Sequence, residues 1–182
     1  MIYPKYRLNV IVRSIEMAVD SELVEFDRKI VAALLEDGRM TITALSDVVG
    51  LSKTPCQLRL RRLMDAGVIL GFRAVVDPAR LGLDHVAFTE VKLSDTREDA
   101  LSRFNAAVLR IPEVEECHMI AGNFDYLLKV RTGDIQAYRR VLGEEISSLP
   151  FVASTSTYVA METVCESGRA APMQSRAPRA GG

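Results

Sequence analysis

The chain reads as an α+β protein of two parts in series: three short helices with a hairpin, followed by a βαββαβ sandwich. Three observations predict this. Apolar residues recur at helical spacing in three blocks between residues 26 and 66, each closed at or just after its end by a glycine. Two short apolar runs, 68–70 and 72–76, then flank Gly71 as hairpin strands would. From residue 86 onward, patterns of period two and period 3.6 follow one another as strand, helix, strand, strand, helix, strand.

In the first part, Phe26, Ile30, Val31, Ala33, Leu34 and Leu35 share one helical stripe, and Asp37-Gly38 ends it. A second helix runs over 42–49, capped by Thr41 or Thr43 and stopped by Gly50. Ser52 is placed to cap a third, extending to about Ala66 before Gly67, with Leu60, Leu63 and Met64 as its buried face. Three helices and then a hairpin make a winged helix-turn-helix over residues 26–78. Residues 79–84 read as linker.

The second part, 85–166, has strands at 86–93, 114–121, 124–130 and 152–164, with Gly122-Asn123 as a hairpin turn between the middle two. Helices fall at 100–111, with Leu101, Phe104, Ala107, Val108 and Ile111 on one face, and at 135–149, ended by Pro150. This order is that of a ferredoxin-like sandwich, with both helices on one face of a four-stranded antiparallel sheet. The opposite face then needs cover, which a second subunit would supply. Residues 1–25 have no clear period and read as an N-terminal extension that packs on a partner subunit, or as a start misplaced ahead of Met17. Residues 167–182, made mostly of Arg, Ala, Pro, Gly and Ser, read as a disordered tail.

The totals narrow the function. The 182 residues are 48% hydrophobic and 26% charged, a globular balance. No apolar run approaches the roughly 18 residues of a membrane span, and no secretion signal is evident, so the expected place is the cytoplasm. Cys56, Cys117 and Cys165 are odd in number and far apart, which makes neither a disulfide framework nor a CxxC metal pair. The net charge of −1 conceals an asymmetry. Residues 26–84 hold nine Lys/Arg against seven Asp/Glu, whereas 85–168 hold eight against thirteen. A slightly basic module is joined to a distinctly acidic one, as suits one half that meets phosphate and another that does not.

The third helix is the strongest chemical signal. Between Ser52 and Leu63 it carries Lys53, Arg59, Arg61 and Arg62 and no acid. The second helix of a helix-turn-helix lies in the major groove with its early residues at base edges. Thr54, Gln57 and Arg61 are therefore expected toward bases or the groove wall, and Ser52, Lys53, Arg59 and Arg62 toward phosphate or base. Arginine suits guanine and glutamine suits adenine. Arg73 in the wing is a further phosphate candidate. The plainer reading of these side chains is a solvated basic face on a core helix.

Enzyme chemistry is poorly provided for. His85 and His118 are the two histidines, and the strand neighbours Cys117 and His118 point to opposite faces, so they cannot act as nucleophile and base together. No His/Cys/Asp/Glu cluster has metal-ligand spacing, and no glycine-rich phosphate loop is present; neither a catalytic site nor a cofactor is expected. Gly122-Asn123-Phe124-Asp125-Tyr126 is the segment left over: a turn where another molecule can approach the backbone, beside a carboxylate suited to an amino group. Most such turns are only turns. A small α+β-barrel enzyme and an architectural DNA-bridging protein without a ligand are the readings that compete with a regulator.

Taken together, Leu35-Glu36-Asp37-Gly38-Arg39, Val49-Gly50-Leu51-Ser52, Arg61-Arg62-Leu63 and Gly67-Val68-Ile69-Leu70-Gly71 resemble the Lrp/AsnC family of feast/famine regulators. So do Glu115-Glu116-Cys117-His118, Gly122-Asn123-Phe124-Asp125-Tyr126-Leu127-Leu128-Lys129, Tyr138-Arg139 and Leu142-Gly143-Glu144, so that the resemblance covers about residues 26–166. It is strongest to the leucine-responsive branch and its relatives that control proline catabolism. The resemblance implies a regulator of amino-acid metabolism genes that binds near-palindromic operators on double-stranded DNA. It also implies assembly into dimers, tetramers or octamers, association with the nucleoid, and an amino acid as effector. By position, the family's effector pocket maps onto Met119, Gly122, Asn123, Asp125, Ile135, Tyr158, Val159 and Ala160, with Asp125 toward the effector's ammonium group. The chain departs from close relatives at Asn123, often aspartate there, at Ala160, often valine, and at Lys53, often proline.

Overall fold

The computed structural model describes residues 25–166, so the expectations for the extension and the tail lie outside the described residues. Those residues divide into two compact units, one made of the residues up to Val75 together with Cys165 and Glu166, the other spanning Val76–Val164.

In the first unit, α1 (Glu25–Glu36), α2 (Ile42–Val49) and α3 (Lys53–Asp65) close on a core of Ile30, Ala33, Leu45, Val49, Cys56 and Leu63. Local chemistry sets the helix ends. The Thr41 hydroxyl accepts from Ala44 N at 3.2 Å and caps α2. Gly50, at φ 78°, closes the same helix in the left-handed region, which a side chain would strain. Ser52 stands at the N-cap of α3 as expected, yet its hydroxyl makes no capping bond. One of the two N–H groups that a Ser cap can use is missing, because Pro55, three residues on, has none. The buried face of α3 also differs from the predicted one. Cys56 and Leu63 are buried, Leu60 is half-buried, and Met64 is exposed. Counting back from Leu63 at helical spacing leads to Cys56, which reads as polar in a binary pattern but behaves as a small hydrophobe.

The wing departs from expectation. Residues 68–77 form no strand, although Ile69 packs on the first core. Leu70 is 94% exposed, and Phe72, Val75 and Val76 are each at least half exposed. A two-stranded ribbon with no third strand or core beneath it is marginal in water, and alternating apolar residues do not change that.

In the second unit, β1 (His85–Leu93), α4 (Glu98–Val108), β2 (Val114–Met119), β3 (Tyr126–Thr132), α5 (Ile135–Arg140) and β4 (Val152–Val159) build an antiparallel sheet in the order β2-β3-β1-β4. Its core joins Ala87, Val91, Leu128 and Val130 of the sheet to Phe104, Val108, Tyr138 and Ile146 of the helical layer. The Tyr138 hydroxyl lies 2.9 Å from Thr89 Oγ1 and 2.6 Å from Thr157 Oγ1, tying α5 to β1 and β4. Residues 76–84 are more structured than a linker: Ala79–Leu81 forms a 3-10 turn, and the Arg131 guanidinium donates to the Leu83 carbonyl at 3.2 Å. A side chain at Gly133 would sit 3.0 Å from the Gly82 carbonyl, which makes glycine the residue that fits.

Several boundaries differ from the predicted ones: α4 spans Glu98–Val108 where 100–111 was expected, β3 spans Tyr126–Thr132 where 124–130 was expected, and three further differences have a local cause. The β2–β3 connection spans residues 120–125 and is not a two-residue turn: Asp125 donates its N–H to the Val91 carbonyl and its own carbonyl accepts from Ile120 N, each at 2.9 Å, and the chain loops out between Ile120 and Asp125. β4 stops at Val159; Ala160 N makes a last bond to Val86 O, and β1 starts at His85, so among the described residues the chain beyond has no strand to pair with. α5 gives way to a π turn over Val141–Glu145 and a 3-10 turn over Ile146–Ser148.

Candidate nucleic-acid interface and effector region

The outward surface of α3 is built by its 3.6-residue period. Turning Cys56 and Leu63 into the core leaves Lys53, Thr54, Gln57, Leu58 and Arg61 exposed, with Thr54, Gln57, Leu58 and Arg61 on successive turns of one face. Leu58, 62% exposed, was not singled out in the sequence; the signal was available, since it falls on the polar face of an otherwise amphipathic pattern. An exposed aliphatic group among polar ones can meet a thymine methyl. Arg73 is exposed too, within the irregular stretch that replaces the wing strands.

Arg59 and Arg62 are not disposed as expected. The Asp27 carboxylate, on α1, is fully buried and takes both guanidiniums: Arg59 Nη1 donates to Oδ1 at 3.1 Å, and Arg62 Nη2 donates to Oδ2. Arg59 also stacks on the Phe26 ring, 5.7 Å from its centroid. The side chain of Arg59 is 28% exposed and that of Arg62 58%. The pair expected to face phosphate also ties α3 to α1 through one buried carboxylate, with Arg62 still more than half exposed. Sequence inspection assigned Asp27 no partner because its partners lie 32 and 35 residues away.

The eight residues mapped to an effector pocket fall into two groups. Met119, Gly122, Asn123 and Asp125 surround the β2–β3 connection, next to Tyr126, which pairs with Val91 at one end of β1. Tyr158, Val159 and Ala160 lie at the end of β4, where Val159 pairs with Ala87, and Ile135 opens α5 just after β3 ends at that same side. β2 and β4 are the two edges of the sheet. Four residues of strand and three strand spacings put the groups about 13 Å apart along the sheet and about 14 Å across it. One chain does not bring them together. Met119, Ile135, Tyr158 and Val159 are all exposed.

Asp125 is also committed differently from expectation. Its Oδ2 accepts from Leu93 N at 2.7 Å, and its Oδ1 lies 3.7 Å from Lys92 Nζ, so the carboxylate braces the β2–β3 connection against β1. A cleft of about 240 Å³ elsewhere in this unit is lined by Leu83, Glu113, Arg131, Arg140 and Glu144 among others, and by none of the eight residues. Along β2, Cys117 packs toward the core and burial raises its thiol pKa, while His118 points outward 3.3 Å from Glu116. The two do not meet. Among the described residues no group of three or more His, Cys, Asp or Glu could hold a metal ion, and no helix is long and apolar enough to cross a membrane.

Residues 23–69 match the model of a winged helix-turn-helix DNA-binding domain, and residues 86–170 match that of the Lrp/AsnC ligand binding domain. The proline dehydrogenase transcriptional activator of Rhizobium radiobacter is 69% identical over 81% of this chain and 94% of its own length. The chain belongs to the Lrp/AsnC family. It is a transcription regulator and not an enzyme. The leucine-responsive regulatory protein of Salmonella typhimurium is 45% identical over 81% of this chain and 90% of its own length. Among solved structures, a Neisseria meningitidis transcriptional regulator in complex with L-Met superposes with a TM-score of 0.72 at 32% identity, covering 79% of this chain and 93% of that one. Both the helix-turn-helix and the βαββαβ unit thus have counterparts in known Lrp/AsnC proteins.

Proposed function

We propose that the chain reads near-palindromic operators through α3 and adjusts that binding to an amino acid, with proline the first effector to test. The observation that carries this reading is the row Thr54, Gln57, Leu58 and Arg61, left outward by the packing of Cys56 and Leu63. Arg61 suits a guanine edge and Gln57 an adenine, while Thr54 and Leu58 suit thymine methyls. Ser52, Lys53 and Arg73 are placed for phosphate, which positions the helix without reading sequence. Two such helices in a dimer would meet half-sites about one helical turn, ~10 base pairs, apart.

The regulatory half works as an assembly. Phe88 and Tyr158, opposite one another on the helix-free face of the sheet, are 37% and 55% exposed, and a second copy covers them. Dimers associate further into tetramers or octamers. The effector lies between copies, with Met119, Gly122 and Asn123 from one and Ile135, Tyr158, Val159 and Ala160 from a neighbour; Asp125 holds the first group in shape. Proline leads because a relative of high identity is named for activating proline dehydrogenase. The site of action is the nucleoid, in the cytoplasm.

The test is a thermal-shift screen of the full chain against the twenty amino acids, followed by gel shifts with and without any hit. A ligand held at 100 times its Kd stabilises the folded state by about 2.7 kcal/mol, an easily read rise. If no amino acid moves the melting temperature, the sensor reading fails and a ligand-free architectural role takes its place.

A further inference from the structure

The clamp on Asp27 has a consequence for how the regulator distinguishes sites. α3 brings four cations to the surface that meets DNA, Lys53, Arg59, Arg61 and Arg62, and phosphate attracts all of them regardless of sequence. Sequence-independent attraction dilutes discrimination where it favours random DNA more than the operator. A complex without base contacts can shift to bring every cation onto phosphate, whereas an operator complex is fixed in register by its bases. Two of the four are held back. Asp27, with no exposed surface, sits between α1 and α3 and takes a hydrogen bond from each guanidinium. Arg59 is further held over the Phe26 ring. The one carboxylate offsets one of the helix's four positive charges and tethers two of its guanidiniums. Arg62 stays 58% exposed but held, and Lys53 and Arg61 are the cations Asp27 does not hold, beside the uncharged row Thr54, Gln57 and Leu58.

We propose that Asp27 is a specificity-determining residue: it withholds Arg59 and Arg62 from the phosphate backbone and thereby lowers affinity for arbitrary DNA relative to the operator. The role is one of positioning, since Asp27 is buried and touches no DNA itself. It rests on the reading of α3 as the recognition helix.

The experiment compares the full-length wild type with Asp27→Asn, Arg59→Gln, Arg62→Gln and Arg61→Ala. Each is titrated by fluorescence anisotropy against a duplex that the wild type selects from a randomised pool, and against a random-sequence duplex, from 50 to 200 mM salt. Asp27→Asn keeps the volume and one acceptor but removes the charge that holds the arginines. Each arginine released onto phosphate should steepen the slope of log affinity against log salt by about 0.9, a further loss of about 3.5-fold over that fourfold salt range, or about 12-fold for two. Binding to random DNA should strengthen and the selected-to-random ratio should fall. A purely structural role would instead weaken both duplexes in parallel with the slope unchanged, and that result overturns the proposal. Arg59→Gln and Arg62→Gln each leave Asp27 one partner and keep the test decisive should Asp27→Asn not fold. The proposal expects wild-type slopes for both, and a slope shallower by about 0.9 in either would mean that this arginine already sits on phosphate. Arg61→Ala separates the two readings, because wild-type affinity there would remove α3 from the interface altogether.

Discussion

The separation of the eight effector-region residues leads to a quantitative expectation about subunits. Met119 pairs with Tyr126 on β3, which stands opposite Val91 of β1, whereas Val159 pairs with Ala87 four residues back along β1. Combining about 13 Å along the strands with about 14 Å across three strand spacings gives a diagonal of about 19 Å. A single amino acid, with about 3.6 Å of backbone, does not bridge that distance. An effector touching both groups must take one from each of two chains. Gly122→Val and Tyr158→Ala disable the two halves separately. Neither should disturb the fold: a Cβ at Gly122 would meet Ile120 Cγ2 at 3.5 Å, an ordinary contact, and Tyr158 is 55% exposed. Each variant alone should bind no effector. When the two are co-expressed in equal amounts, each site draws its halves from two chains at random. Each half is intact with a chance of one in two, so roughly a quarter of the sites should recover in the symmetric assembly. Calorimetric titration of the purified mixture reads that stoichiometry directly. Complete absence of binding in the mixture, with each variant folded and assembled, would refute the two-chain site. Full binding in either variant alone would refute the residue assignment.

Three further outcomes follow from geometry already described. Arg61→Ala should weaken operator binding by about 1–3 kcal/mol and relax preference at one base pair, if it meets a guanine; a selection experiment with wild-type and variant proteins reads both effects. Tyr138→Phe leaves the fully buried Thr89 hydroxyl without its partner, at a cost of about 1–3 kcal/mol. Calorimetry of the variant should show melting of the βαββαβ unit lowered by several degrees, and an unchanged Tm would mean that Thr89 is satisfied otherwise. Glu115 is pushed up by burial, but its hydrogen bonds to Arg131 and Lys129 outweigh this and leave its pKa below the ordinary 4.5. A depressed carboxylate adds stability that is present above its ordinary value and lost as pH falls through the folded one. The stability gap between wild type and Glu115→Gln in urea titrations should therefore be open at pH 7 and close under acid. A gap that widens on acidification would reverse the assignment.

Most of the architecture was legible in the sequence because it rests on local rules. Thr41, Gly50 and Gly67 mark helix ends by backbone chemistry that acts within a few residues. The alternation along 86–93 and the helical stripe of Leu101, Phe104 and Val108 similarly reflect one-sided burial, which any core imposes, although Ile111 joins that core from beyond the end of α4. The motifs that resembled Lrp/AsnC regulators were legible for the same reason: they are contiguous.

What the sequence by itself determined was therefore the order of elements apart from the wing strands, the family and the helix that presents Thr54, Gln57 and Arg61. Tertiary structure decided which charges on that helix are paired within the protein. Arg59 and Arg62 read as basic surface until Asp27, more than thirty residues away, is folded against them. It also decided that Asp125 braces Leu93, that the Ser52 hydroxyl makes no capping bond, and that the two effector groups occupy opposite corners of one sheet. Local pattern fixes which face of an element is apolar. Ion pairs, brace contacts and pockets depend on which residues strand order and helix packing bring within about 3–4 Å, and that distance has no signature in the chain until it folds.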